Sequence, residues 1–229
     1  MPTVVRSIQR ADRRTVDALA GFGVATIHEA QGRTGLLSPY INPVYPGAQI
    51  AGSAVTVSVP PGDNLMIHVA VEQCRDGDIL VVAPTSRSDA GYFGELLATA
   101  LHTRGVRGLV IDAGCRDVAE LKRMSFPVWS RCVSAEGTVK EVLGDVNVPV
   151  VCAGQLVTPG DVIAADDDGA VVVPRRDAIA VLEKCRARAE REAAARKRYA
   201  AGELSLDVNN MRPRLAEKGL TYVDHPPGE

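Results

Sequence analysis

Arg116 and Asp117 stand side by side shortly after an apolar run, Leu109-Val110-Ile111, with Asp112-Ala113-Gly114-Cys115 between. A run of that kind reads as a buried parallel strand, and open α/β sheets bind ligands just past the carboxyl ends of such strands. A guanidinium there offers a planar donor fork to a carboxylate or a developing enolate. The adjacent carboxylate offers hard oxygen to Mg²⁺, which takes one or two protein carboxylates and fills its shell with water and substrate. An aspartate capping a helix beside an exposed arginine has the same appearance. The residues alone leave both open.

A second stretch, Gly91-Tyr92-Phe93-Gly94-Glu95-Leu96-Leu97, sets glycines at the mouth of a helix that follows a buried strand. Free first-turn amides, aided by the helix dipole, can hold a small anion such as a carboxylate. Glycine lets a ligand approach the main chain. An ordinary glycine-rich turn into a helix accounts for the bare pattern as well.

Other stretches point to structure. Asp166-Asp167-Asp168-Gly169 lacks the spacing and distal Glu of a calcium loop and reads as a tight turn between two apolar runs. His28-Glu29 has no second His at ligand spacing and reads as a polar helix face, with Glu29 able to reach an interface. Cys115 has no His near it in sequence and reads as a small buried residue.

The elements that must position these residues follow from periodicity. Residues 12–20 and 24–32 read as short helices parted by Gly21 and Gly23, and Ile50 to Val59 as a strand ending at Pro60-Pro61. Asp63 caps a helix carrying Leu65, Met66, Val69 and Gln73. Ile79 to Val82, Leu109 to Ile111 and Val128 to Arg131 read as strands, and Phe93, Leu96, Leu97, Ala100 and Leu101 as an amphipathic helix. Another helix starts near Asp117. Val148 to Pro174 reads as short strands and turns. The alternation predicts a mixed α/β core. Asp177 to Tyr199 is a helix whose charged second half is either solvated, with a Glu192–Arg196 pair, or lies against a neighbouring subunit. The tail ending His225-Pro226-Pro227 either wraps a partner or is loose.

The chain has 229 residues, a net charge of −2 and 46% hydrophobic residues, so it builds an ordinary globular core with no field to draw nucleic acid or an anionic membrane. The basic side chains of the late helix are balanced by glutamates, with no aromatic interleaving for nucleic acid. Five widely spaced cysteines without C-x-x-C argue against a disulfide framework or structural zinc. Met1 to Arg14 has no apolar core for a signal peptide, and no stretch approaches a membrane span. The expectation is a cytoplasmic protein. No G-x-G-x-x-G opens a strand–helix unit, which argues against a methyltransferase.

Gly23 to Gly32, Gly94-Glu95-Leu96-Leu97 and Gly108 to Asp117, in that order, resemble the class II pyruvate aldolases acting on 4-hydroxy-4-methyl-2-oxoglutarate and 4-carboxy-4-hydroxy-2-oxoadipate. Val151-Cys152-Ala153-Gly154, Pro159-Gly160-Asp161, the Asp166 turn and Met211-Arg212-Pro213 agree with the likeness. The same superfamily includes the regulator of ribonuclease activity A, a non-catalytic binder of an RNA-degrading enzyme, and fold alone does not separate the two.

The resemblance implies an α/β fold of ββα swivelling-domain type over residues 1–175. A helical extension over 176–229 would pack on a neighbouring subunit of a trimer or hexamer. It implies that Gly94, Glu95, Leu96 and Leu97 form a pyruvate-binding turn in which the Leu96 and Leu97 amides hold the carboxylate. Arg116 would be the substrate-binding arginine, Asp117 the ligand of Mg²⁺ or Mn²⁺, and Glu192 a carboxylate presented from the neighbouring subunit. The implied reaction is retro-aldol cleavage to pyruvate plus oxaloacetate or a second pyruvate, with oxaloacetate decarboxylation beside it, in bacterial degradation of aromatic acids. Cleavage leaves an electron pair on C3. Lys122, Lys140 and Lys184, the only lysines between residues 20 and 195, all lie outside the motif, so a metal rather than a Schiff base is expected to take up that charge. The proton of the 4-hydroxyl is expected to pass to a metal-held or Glu95-linked water. The alternative is a regulator that binds a ribonuclease. It typically ends sooner than this chain and needs no metal.

Overall fold

Alternation along the central strands divides the interior into layers. The computed structural model describes residues 1–224, so the expected tail segment His225-Pro226-Pro227 lies outside the described residues. The chain opens with α1 (Arg13–Leu19) and α2 (Val24–Ala30), followed by β1 (Asn42–Pro43), β2 (Ile50–Val59), α3 (Leu65–Gln73), β3 (Asp78–Pro84), β4 (Gly91–Phe93), α4 (Glu95–His102), β5 (Gly108–Cys115), α5 (Val118–Arg123) and β6 (Val128–Val133). Then come β7 (Asp145–Val146), the β8–β9 hairpin (Val150–Cys152 and Gln155–Val157), β10 (Val162–Asp166), β11 (Gly169–Val173) and the long α6 (Ala178–Ala200).

The main sheet runs β1-β6-β5-β3-β2-β10-β11, with β4 added beside β5 and β7 beside β2. Strands β2, β3, β5 and β6 are parallel neighbours, while β10 returns antiparallel on β2. Parallel neighbours need crossovers, and helices α3, α4 and α5 supply them. In β3, Leu80 and Val82 enter the core under those helices, and Ile79, Val81 and Ala83 enter the opposite one, which Trp129 and the β8–β9 hairpin help fill. Burial on both faces is why β3 and β5 read as unbroken apolar runs. A third cluster joins α1, α2 and the start of α6 to β10 and β11. The expected α/β core with a C-terminal helix is the fold observed.

Residues Met1–Cys185 form one compact unit and those from Arg186 onward a second. The first turns of α6 belong to the core because Val181, Leu182 and Cys185 are buried in it. That is why this unit runs past residue 175. In the second unit Arg198 pairs with Glu203 at 2.6 Å, and Arg212 pairs with Asp207 at 2.5 Å.

The Asp166 segment is a tight turn, as expected. Asp166 and Gly169 close the β10–β11 hairpin, and the Asp166 carboxylate accepts the Val24 amide at 2.7 Å and the Asp168 amide at 2.9 Å. One of the three acidic side chains therefore caps α2 from a distant part of the chain.

Candidate active site

Strand β5 ends at Cys115, and the chain reverses at Asp117, whose φ of 59° is left-handed. Asp is among the few residues that tolerate this conformation. Asp117 stands at the N-cap position of α5, yet its side chain makes no hydrogen bond to that helix. Instead Oδ2 accepts the amide of Glu95, the first residue of α4, at 2.9 Å. The Arg116 amide donates to the Phe93 carbonyl at 2.9 Å, and its Nε lies 3.9 Å from Asp117 Oδ2. The two stretches singled out by sequence are thus one site, with the Arg116-Asp117 turn seated on the mouth of α4.

Gly94 is required there by space, not by backbone angle. Its φ of −157° is extended, but a Cβ would lie 2.2 Å from Asp117 Oδ2. The first bond of α4 to a preceding carbonyl runs from the Ala98 amide to Gly94. The Leu96 and Leu97 amides therefore belong to the first turn, whose N–H groups have no intrahelical acceptor. Leu97 is buried in the core and Leu96 is 82% exposed, so what Leu96 offers at the helix mouth is its main chain.

These residues line one side of a cavity of about 110 Å³. Drug-sized pockets run to roughly 300–1,000 Å³, so this one is small for a nucleotide. The rest of the wall holds Tyr92, from the same stretch as Gly94, and three residues that the motif reading did not collect: Asn64, His68 and Lys140. Tyr92 is buried, and its hydroxyl donates to the Pro60 carbonyl at 3.0 Å and accepts the Gly62 amide at 2.5 Å. Asn64 donates through Nδ2 to the Tyr92 carbonyl at 2.8 Å. That bond fixes its amide and leaves Oδ1 buried without a partner. The pKa of His68 is lowered from 6.5, first by desolvation and then by the positive charge of Lys140, although the residue itself is exposed.

The structure places three more of these residues. Lys140, set aside for lying outside the motif, lines the cavity. Glu95 enters the site through its amide, while its carboxylate turns along α4 to accept the Thr99 hydroxyl at 2.9 Å and does not line the cavity. Glu192 pairs with Arg188 at 2.7 Å, one turn before it, rather than with Arg196; it lies on α6 in the second unit. Cys115 is buried as expected, and desolvation first, then the nearby Asp117 charge, push its thiol up to about 12.

Among the described residues no group of three or more His, Cys, Asp or Glu could hold a metal by itself. The donors present fit a mostly hydrated hard cation. Asp117 supplies one carboxylate, and the orphaned Asn64 Oδ1 is an acceptor suited to a water in the same cavity.

The sequence and the fold both have relatives. The family described as "RraA-like: Aldolase/RraA" matches residues 16–172. A protein of Halalkalibacterium halodurans named "Putative 4-hydroxy-4-methyl-2-oxoglutarate aldolase" is 33% identical over 150 residues, 66% of this chain and 71% of its own. A crystal structure of an uncharacterized protein from Pseudomonas syringae pv. tomato superposes with a TM-score of 0.80 at 26% identity, over 89% of this chain and 96% of that one. RraAS2 of Streptomyces coelicolor, described as an unusual member of the RNase ES inhibitor RraA family, superposes with a TM-score of 0.74 at 28% identity, over 83% and 99%. With 16–172 inside the family's bounds and the fold shared over most of its length, this chain belongs to the RraA-like, aldolase/RraA family.

Proposed function

We propose that the protein is a divalent-metal-dependent aldolase that cleaves 4-carboxy-4-hydroxy-2-oxoadipate to pyruvate and oxaloacetate and 4-hydroxy-4-methyl-2-oxoglutarate to two pyruvates. Decarboxylation of oxaloacetate follows from the same enolate chemistry. The observation that carries this reading is the Asp117 carboxylate seated on the Glu95 amide beside Arg116, at the wall of a small cavity.

The free amides of Leu96 and Leu97 receive the carboxylate of the pyruvyl end, where the α4 dipole favours negative charge. Arg116 is aimed at the keto oxygen, on which charge develops as the C3–C4 bond breaks. An aimed charge of this kind is worth several kcal/mol of barrier. Asp117 would hold Mg²⁺ or Mn²⁺, which when bound would supply Lewis-acid stabilisation of that charge. On the opposite wall, the exposed Lys140 offers a cation to the distal carboxylate. His68, its pKa lowered, is a proton acceptor within the cavity for the 4-hydroxyl, in place of a Glu95-linked water. In this reading Glu192 acts in the site of a neighbouring subunit of a trimer or hexamer, in the cytoplasm of a cell degrading aromatic acids.

The test is pyruvate release from 4-carboxy-4-hydroxy-2-oxoadipate, coupled to lactate dehydrogenase, with Mg²⁺ and then with excess EDTA. Turnover that stops on chelation and returns with metal is the expected result. Folded protein without turnover in either metal would turn the assignment to a ribonuclease-binding regulator, the activity in the description of the Streptomyces family.

A further inference from the structure

The segment from Ser134 to Val142 has no regular pattern, yet it runs as a strap along the cavity and is fastened at intervals. The Ser134 amide donates to the Cys115 carbonyl at 2.9 Å, and the Gly91 amide donates to the Glu136 carbonyl at 2.7 Å. Gly137 passes Arg116, with Nη1 3.7 Å from where its Cβ would stand. Val139 then exchanges backbone bonds with the start of α3: its amide donates to Gly62 at 2.9 Å, and its carbonyl accepts from Asn64 at 3.0 Å. Lys140, the next residue, lines the cavity. Directly after it, the amides of Glu141 and Val142 both donate to Asp63 Oδ2, at 2.7 and 2.8 Å.

Asp63 is 1% exposed, and its Oδ1 accepts the Leu65 amide at 2.8 Å. One buried carboxylate therefore holds three amides from two distant stretches of chain. Bonds from an ionised acceptor are about twice as strong as neutral ones. A helix cap alone would need only Leu65. The other two bonds fall immediately after Lys140, and Asn64 follows Asp63 itself.

We infer that Asp63 is a positioning residue of the site: by gripping the strap at Glu141 and Val142 it holds Lys140 against the wall formed by Asn64 and His68. This rests on the proposed role of Lys140 in receiving the distal carboxylate. Asp63 acts on substrate affinity through Lys140; Arg116 and Asp117 stay in place, and His68 stays with α3 as long as the Leu65 cap is kept.

Asp63→Ser separates the two duties of the carboxylate. A serine hydroxyl still caps Leu65, but its single, shorter arm does not grip Glu141 and Val142. The experiment compares the full-length wild type, Asp63→Ser, Lys140→Ala and the double variant for kcat and KM on 4-carboxy-4-hydroxy-2-oxoadipate with Mg²⁺. Amide hydrogen exchange is measured on the same proteins without substrate. Asp63→Ser is expected to raise KM about tenfold, the order of one lost charged hydrogen bond, with kcat changed less than about twofold. The double variant is expected to be no worse than Lys140→Ala alone, because residues acting through one another are not additive. Exchange should quicken at Glu141 and Val142 while β5 keeps its protection. Additive losses, a fall in kcat without a rise in KM, or unchanged exchange would each overturn the inference. If the wild type does not turn over, the aldolase reading fails, and exchange at Glu141 and Val142 alone decides whether Asp63 grips the strap. If Asp63→Ser does not fold, the wild type still decides: its Glu141 and Val142 amides must be protected to the level of α3, and fast exchange there refutes the grip.

Discussion

Asp117 caps a helix that is not its own. It stands at the N-cap of α5, but its Oδ2 takes the Glu95 amide of α4 at 2.9 Å. Of the two readings that the residues left open, the structure shows a capping carboxylate, at α4 rather than at α5. A carboxylate serving its own helix would point along α5, whereas this one is turned into the cavity beside Arg116.

The fit at Gly94 gives the most direct test of that geometry. A methyl group there would lie 2.2 Å from Asp117 Oδ2, so Gly94→Ala must push the carboxylate away or unseat α4. Overpacking of this kind costs about 1–3 kcal/mol. The expected outcome is a lowered Tm together with loss of most metal-dependent turnover. Full activity in a thermally unchanged Gly94→Ala would show that Asp117 is free to stand elsewhere.

Asp117→Asn and Arg116→Ala should fail differently. Asparagine keeps an acceptor for the Glu95 amide and tolerates the left-handed backbone, so Asp117→Asn is expected to hold its Tm and lose the response to Mg²⁺. Arg116→Ala is expected to cost roughly 100-fold or more in kcat, as removal of one donor to a developing oxyanion does, with a smaller change in KM. Steady-state kinetics across a metal titration reads both. A loss confined to KM in Arg116→Ala would place its contact in the ground state.

Protonation of His68 sets an acid limit. Desolvation and then the Lys140 charge disfavour the imidazolium, so the His68 pKa lies below 6.5. As an acceptor it is active above its depressed pKa and inactive below. The plot of kcat/KM against pH should therefore fall on the acid side below 6.5, and His68→Gln should lower the plateau and remove that limb. The same sign governs stability: the unfolded ring binds a proton at higher pH than the folded one, so this group's contribution is present above 6.5 and declines below it. An unchanged profile in His68→Gln would assign the proton to another group.

Thiol chemistry checks the core around the site. The Cys115 and Cys74 thiols are pushed up to about 12, chiefly by burial, and Cys152 is raised further by the same cause. The thiolate is the reactive form. The half-buried Cys132 is also raised, by desolvation and then the Asp89 charge, so at pH 8 it is expected to react slowly with a thiol reagent but ahead of the others, which follow on unfolding. Rapid labelling of Cys115 in native protein, read by peptide mass spectrometry, would contradict the packing at the end of β5.

Much of this was legible in the sequence because burial leaves a pattern. Ile50 to Val59 was read with its observed bounds, and the parallel strands showed as unbroken apolar runs since neither face meets water. Arg116, Asp117 and the Gly94 turn were visible because both stretches are local. The opposite wall was not. Gly91–Phe93 is a strand where a turn and, at Phe93, the start of a helix were read, because three residues carry no periodicity; α4 begins at Glu95. Lys140 reaches the cavity through backbone bonds between Gly62, Asn64 and Val139, and such bonds leave no mark on side-chain type. A fainter signal existed in Asn64 and His68, four residues apart, at the N-cap of α3 and one turn into it.

The cavity draws on four stretches that are far apart along the chain, near residues 62–68, 92–97, 116–117 and 140. None of them encloses it alone. Contacts of such long sequence separation must overcome the entropy of loop closure before they contribute energy, and they slow folding. A ligand can therefore meet this cavity only in a chain that has finished folding. Any ligand that binds the finished site and not the open chain stabilises the whole unit by mass action.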